Sequence, residues 1–215
     1  MAELIHRLGL VLHRLNVPFE LIIVDDDSGD GTERVVSSLG RPWVRLITRI
    51  GQRGLSSAVL AGLRAARHEN LVVMDADLSH PPEAIPALIA KLEEGAEFAV
   101  GSRYTAGGGT DERWSLWRAF NSRIATLMSR PLVRLRDPMS GFFALRRRTF
   151  ERAAPLNPIG WKICLELLVK CHCDEPAEVP IRFATRRRGK SKLTFREAIE
   201  YVEHLTRLSR YRLSR

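Results

Sequence analysis

Two aspartates one residue apart, Asp75 and Asp77, follow an apolar run in the stretch Leu71 to Pro82, which reads L-V-V-M-D-A-D-L-S-H-P-P. Carboxylates this close repel each other unless a cation lies between them, and hard divalent cations carrying phosphate oxygens are the usual occupants. Taken alone, D-x-D also occurs in solvated turns, so the strand before it is what gives it weight. A second acidic cluster, Asp25-Asp26-Asp27, ends the run F-E-L-I-I-V. It reads either as a solvated, helix-capping turn or as carboxylates accepting hydrogen bonds from a nucleobase or ribose. Arg49, Arg53 and Gly54 form a basic glycine loop that opens a helix, which is either plain surface or an anion cradle; no G-K-[S/T] follows, so it is not a P-loop. Arg103 follows a short strand, and Arg186, Arg187, Arg188, Lys190 and Lys192 crowd one seven-residue stretch. Both read as exposed charge or as phosphate partners. His80 could complete a metal shell, although beside two prolines it reads more simply as a turn residue. Cys171-His172-Cys173 has no second ligand pair at finger spacing, which argues against zinc.

The elements that must position these groups follow from periodicity. Leu4, Ile5, Leu8, Leu12 and Leu15 share one face of a helix over residues 3–15, stopped near Pro18. Strands are predicted over 19–24, 44–48 and from Leu71, with helices through Val35–Leu39 and over 55–67 between them. The L-V-V-M run looks like a buried strand of a parallel sheet, and ligands of such sheets bind outside the carboxyl ends of their strands. Further along, the pattern predicts a helix from Pro82 to about Glu94 and a strand at Phe98–Val100. Gly107-Gly108-Gly109 reads as a mobile loop. Helices over 114–130 and 161–170, apolar runs at 142–145 and 179–183, and a basic helix from Phe195 to about Arg212 complete the chain. Strand and helix alternate through the first hundred residues, so an α/β sheet flanked by helices is the economical fold.

With 215 residues, 45% of them hydrophobic, the chain can bury a full core. It has no run of about 18 apolar residues to span a bilayer. Its first residues are amphipathic and carry an acid, unlike a secretory signal. Three cysteines, an odd number, fit a reducing compartment. Residues 1–100 carry a net charge of −4 and residues 101–215 a net charge of +13, which suggests metal on one side and anionic partners on the other.

Six blocks then occur in order: V-D-D-D-S-G-D-G-T, R-G-L-S-S-A, M-D-A-D-L-S-H-P-P-E, G-S-R-Y-x-x-G-G-G, D-P-M-S-G-F-F-A and E-V-P-I-R-F-x-x-R-x-x-G-x-S-K-L. Together they resemble the dolichol-phosphate (polyprenol-phosphate) mannosyltransferases of glycosyltransferase family 2, over roughly residues 3–205. The resemblance implies a GT-A-type, Rossmann-like mixed sheet flanked by helices. It implies a catalytic domain over 1–192 and a basic, membrane-proximal amphipathic helix over 193–215. Asp25 and Asp26 match the nucleobase-binding turn; Arg53, from the basic glycine loop, is a cofactor-binding candidate on its own reading as an anion cradle. Asp75 and Asp77 match the pair that holds Mg²⁺ or Mn²⁺ on the donor diphosphate. Arg103, Arg118 and Ser122, the last two in R-x-x-x-S, match positions that hold the lipid phosphate. Asp137 matches the active-site acid near the sugar, and Arg186 and Lys192 match a loop that closes over donor and acceptor phosphates.

The implied reaction is inverting transfer of a hexose, mannose from GDP-mannose above all, to a polyprenyl or dolichyl phosphate at the cytoplasmic, inner face of the membrane. A UDP-sugar such as UDP-glucose is the alternative donor. An acceptor phosphate is already ionised at neutral pH, so Asp137 would orient rather than deprotonate. Relatives begin with a strand followed by P-T-Y-N-E, which lies inside their sheet. That block is absent, so the chain reads as a shortened form that starts at the following helix, with its first strand missing. A receiver-type signalling domain is a non-enzymatic rival, but it needs a lysine on a later strand, and Lys91, within a helix, is the only lysine before residue 162. A nucleic-acid binder, the third reading, fits poorly with three acidic motifs, and no nucleic-acid partner is expected.

Overall fold

Glu3 in the first turn and His13 and Arg14 in the last suit the dipole of the opening helix α1, Ala2–Arg14, whose Leu4, Ile5 and Leu8 are buried. The computed structural model describes residues 1–111, 116–160, 162–184 and 195–214, with the side chains of 116–122 and 195–197 excepted. Strand β1 (Leu21–Asp25) pairs in parallel with β2 (Val44–Thr48), from Leu21 opposite Val44 to Asp25 opposite Thr48. Between them lies α2 (Thr32–Leu39), whose first N–H is capped by Asp30 Oδ1 at 2.9 Å. Helix α3 (Leu55–Ala65) leads to β3 (Asn70–Val73). A 3₁₀ turn at Pro82–Ala84 enters α4 (Ile85–Glu93), and β4 (Phe98–Ser102) follows.

The second half adds β5 (Gly109–Thr110), α5 (Leu116–Ser129), β6 (Phe143–Arg146), α6 (Arg147–Glu151) and α7 (Ile163–Lys170). It ends with β7 (Ala177–Pro180), β8 (Arg182–Phe183) and α8 (Phe195–Leu213). A four-stranded sheet has the order β3-β6-β4-β7, with β6 antiparallel to both neighbours and β7 parallel to β4. The expected parallel pairing of the L-V-V-M strand is therefore corrected: β3 pairs with an antiparallel strand from much later in the chain. An apolar run records burial, and burial on both faces is equally open to a mixed sheet.

Side chains of β6 divide the interior by the two-residue period of a strand. Phe143 and Leu145 enter one core with Leu60, Leu63, Leu71, Phe98 and α7. Ala144, with Phe142 just before the strand, enters the other with Leu4, Leu8, Ile85, Leu88 and Leu92. Tyr201, Leu205 and Leu208 of α8 also join the first core, so this helix is seated on the sheet domain. Among the described residues no ladder joins β1 to β3. Between these two strands the sheet is interrupted among the described residues. Helix α3 spans the interruption: its Gly62 lies against Val24 of β1, while Leu60 and Leu63 share a core with Leu71 of β3.

The triple-glycine segment also departs from expectation. Gly109 and Thr110 pair in parallel with Arg182 and Phe183, so part of the expected loop is a short ladder. A Cβ on Gly108 would stand 2.6 Å from the carbonyl oxygen of Ser102, backbone that cannot swing away, whereas one on Gly109 would meet nothing. Gly108→Ala is expected to cost about 1–3 kcal/mol in urea unfolding. Gly109→Ala is expected to stay within about 0.5 kcal/mol.

Candidate active site

Past β3 the chain turns sharply through Asp75-Ala76-Asp77-Leu78-Ser79-His80. Leu78 has φ of 63°, a conformation costly for a branched side chain and held only because its neighbours fix it. Asp77 Oδ1 accepts from the Ser79 N–H (3.0 Å) and the Ser79 hydroxyl (2.5 Å), closing the turn on itself. His80 Nδ1 accepts the Asp75 N–H at 3.1 Å, so its proton sits on Nε2. The ring is 2% exposed, stacked on Phe142 at 5.2 Å and edge-on to Phe183 at 5.3 Å. Burial lowers its pKa, against the opposing pull of Asp75, Asp77 and Asp137, and Arg103 lowers it further. His80 is thus a neutral, buried post under the acidic turn; its Nδ1 lone pair is spent on the backbone.

Asp75 and Asp77 present hard oxygen donors on a partly open turn, the Asp75 side chain being 23% exposed. No cluster of three His, Cys, Asp or Glu ligands occurs among the described residues. Two carboxylates suit a Mg²⁺- or Mn²⁺-like ion whose remaining positions go to substrate phosphates and water. The donor set therefore fits the expected metal.

Asp137 is fully buried and clasped by Arg103. Arg103 donates from Nε (2.7 Å) and its backbone N–H (3.0 Å) to Oδ2, and from Nη2 to Oδ1 (2.7 Å). This is the two-point fork that arginine offers a carboxylate. Burial works against the Arg103 charge, yet Asp137 more than offsets it and raises the pKa. The guanidinium also faces the rings of Tyr104 and Phe183 at 5.3 and 5.4 Å. Asp137, expected beside the sugar, gives both oxygens to Arg103 and so aligns that arginine. Burial, with Asp137 adding to it, pushes the nearby Cys164 thiol well up, and all three cysteines are free and buried.

At the ends of β1 and β2, Asp25 accepts from the Ser28 N–H at 3.2 Å, while Asp26 is held by Arg49 and by the Gly54 N–H at 2.8 Å. Arg53 is exposed in the same loop. Arg118 and Ser122 lie on α5, with side chains outside the described residues; Arg186 and Lys192 lie outside them altogether. The stem of that basic segment is placed: the Ala184 N–H donates to the Ser79 carbonyl at 3.0 Å, tying it to the acidic turn. The fold thus brings the Asp75 carboxylate to 3.9 Å from His80, and sets His80 and the Asp137-clasped Arg103 against one ring, Phe183. The sequence had offered His80 only as turn or metal ligand, and Phe183 not at all. A buried ring stacked under a turn leaves no local spacing to read.

Residues 4–153 match the family described as Glycosyl transferase family 2. A dolichol-phosphate mannosyltransferase of Pyrococcus furiosus is 43% identical over 98% of this chain and 60% of its own length. One from Saccharomyces cerevisiae is 44% identical over 88% of this chain and 74% of its own. The chain thus spans about 60% of the archaeal relative. Among solved structures, glucosyl-3-phosphoglycerate synthase from Mycobacterium tuberculosis, in complex with Mn²⁺, UDP-glucose and glycerol 3-phosphate, superposes with a TM-score of 0.61. That match has 20% identity over 90% of this chain and 68% of that one, which speaks to the fold.

Proposed function

This chain belongs to glycosyl transferase family 2, and from that premise we propose that it transfers mannose from GDP-mannose to a polyprenyl or dolichyl phosphate, inverting the anomeric carbon. The observation that carries the reading is the acidic turn built on the buried His80, with Arg103, clasped by Asp137, against the same Phe183 ring that His80 meets. Asp75 and Asp77 are the carboxylates that would hold Mg²⁺ or Mn²⁺. A divalent ion bound there supplies positive charge against the departing nucleoside diphosphate. Arg103, fixed by Asp137, would meet an anionic acceptor and align it, which is the larger part of what such a reaction needs. A phosphate nucleophile carries its own charge, so no described residue has to remove a proton from it. The receiver-type reading gives way to the family match.

The names of the relatives support mannose and dolichyl phosphate. The UDP-glucose bound by the structural neighbour keeps a UDP-sugar as the second reading. Association with the inner membrane face draws support from apolar side chains left in solvent: Ile124, Leu127 and Met128 on α5, and Ile199 and Val202 on α8. The two helices are joined where the Tyr201 hydroxyl donates to the Ala125 carbonyl at 2.6 Å. Leu205 and Leu208 of the same helix point into the core. Among the described residues no helix is long and apolar enough to cross a membrane.

The deciding experiment offers GDP-mannose, GDP-glucose, UDP-glucose and UDP-galactose to polyprenyl phosphate in anionic liposomes. Mannosyl lipid formed from GDP-mannose, well above the other products, is the expected result. A preference for UDP-glucose selects the second reading, and no glycolipid from any donor removes both.

A further inference from the structure

Arg49 is only 7% exposed although it stands at the root of an open loop, with Ile50 beside it 81% exposed. Arginine is buried to that degree when its charge is met. Its backbone N–H donates to the Asp25 carbonyl at 2.8 Å, continuing the β1–β2 ladder by one bond. The side chain then turns across the strand end. Nε donates to Asp26 Oδ1 at 2.7 Å, joined by Nη2. Nη1 donates to the Ser57 hydroxyl at 2.9 Å, and Nη2 to the Gly54 carbonyl at 3.1 Å. Asp26 Oδ2 accepts the Gly54 N–H at 2.8 Å. Gly54 has φ of 134°, a conformation that L side chains rarely adopt, so this loop closure depends on glycine.

Both oxygens of Asp26 are therefore spent inside the protein. Asp25 is differently placed: among the described residues its carboxylate has one bond, from the Ser28 N–H at 3.2 Å. Adjacent residues of a strand point to opposite sides, so one carboxylate faces the clasp while the other faces away from it. The sequence suggested both as nucleobase ligands.

We infer that Arg49 is a positioning residue of the donor site: it consumes Asp26, locks the Asp25–Asp30 turn to the Gly51–Gly54 loop and the start of α3, and leaves Asp25 alone to read the base or ribose. The inference rests on the sugar-nucleotide function proposed above. A carboxylate held in one place can accept from two N–H groups on the edge of guanine, but from only one on uracil. A locked turn should therefore favour the purine nucleotide, and a loosened one should lose that preference.

Calorimetric titration of the 215-residue chain with GDP and with UDP tests this, together with thermal unfolding of each variant. Asp25→Asn should weaken GDP binding about tenfold or more, the effect of one charge-assisted hydrogen bond, with its unfolding midpoint near that of the parent. Arg49→Met and Asp26→Asn should each weaken GDP more than UDP, drawing the two affinities together, and the double variant should be no worse than either. Arg49→Lys, which keeps the charge but loses the fork, should fall between. GDP binding unchanged in Arg49→Met overturns the inference. So does a lower unfolding midpoint with an unaltered GDP-to-UDP ratio, which is what a purely structural ion pair would give. Loss of GDP binding in Asp26→Asn while Arg49→Met is silent makes Asp26 a direct ligand and overturns it too. A parent chain that binds neither nucleotide takes away the proposed function first and this inference with it; silent variants of a parent that does bind take away only the inference.

Discussion

Asp77→Asn is expected to lower metal-dependent transfer by about a thousandfold while leaving the fold intact. Asn retains an oxygen that can accept from the Ser79 N–H and hydroxyl, bonded to Asp77 Oδ1 at 3.0 and 2.5 Å, so the turn can still close. What it loses is a full negative charge beside Asp75, and with it the attraction for a hard cation. Charge stabilisation of a departing diphosphate by a bound metal is worth several kcal/mol, and each 1.4 kcal/mol is tenfold in rate, which gives the order of magnitude. Asp77→Ala should lose as much rate and also about 1 kcal/mol of stability, because the turn bonds go with it. Initial rates with GDP-mannose in Mg²⁺ and in Mn²⁺, read beside urea unfolding curves, separate the two contributions. A chelator should bring the parent down to the level of Asp77→Asn and leave the variant unmoved. If Asp77→Asn transfers within tenfold of the parent, the acid pair is not the metal bridge.

Much of the fold was legible because it is local. Periodicity located α1 to within a residue, α4 to within three, and β2 over Val44–Thr48. The acidic turns were legible as strand ends because short apolar runs stop abruptly at Asp25 and Asp75. Partners across long sequence separation were not. Nothing between Asn70 and Val73 says that its neighbour is Phe143–Arg146 running the other way, since that choice is made by the packing of both faces of β6. Gly109–Thr110 looked like loop because glycine disfavours a strand, and its pairing with Arg182–Phe183 is imposed from outside. Arginine misled for a related reason. Arg49 and Arg103 read as surface charge or phosphate ligands, yet each is buried against an aspartate, at 23 and 34 residues' separation. A long side chain with a planar fork can span such distances, and the sequence records only that it exists.

The Arg103–Asp137 pair carries the largest stability effect we expect, and it also separates structure from catalysis. Arg103→Met leaves the Asp137 carboxylate fully buried with one of its three Arg103 bonds, the backbone N–H at 3.0 Å. Stranding one member of a buried pair costs about 3–5 kcal/mol, a large part of the roughly 5–15 kcal/mol that holds a domain together. Urea unfolding of Arg103→Met should show that loss. Asp137→Leu alone should be comparably damaging, because it strands the guanidinium, which is held at 9% exposure. The double variant Arg103→Met with Asp137→Leu removes both charges and fills similar volume, and such replacements of buried pairs are often neutral. It should therefore recover most of the stability lost by either single change. If the pair were only a structural rivet, transfer would recover along with the fold. Arg103 is instead expected to align the acceptor phosphate, so the double variant should unfold near the parent midpoint and still transfer at least about a hundredfold more slowly, the loss of one well-placed charged donor. A stable double variant with the parent's rate would move Arg103 out of the acceptor site and leave it as scaffold for Asp75 and Asp77.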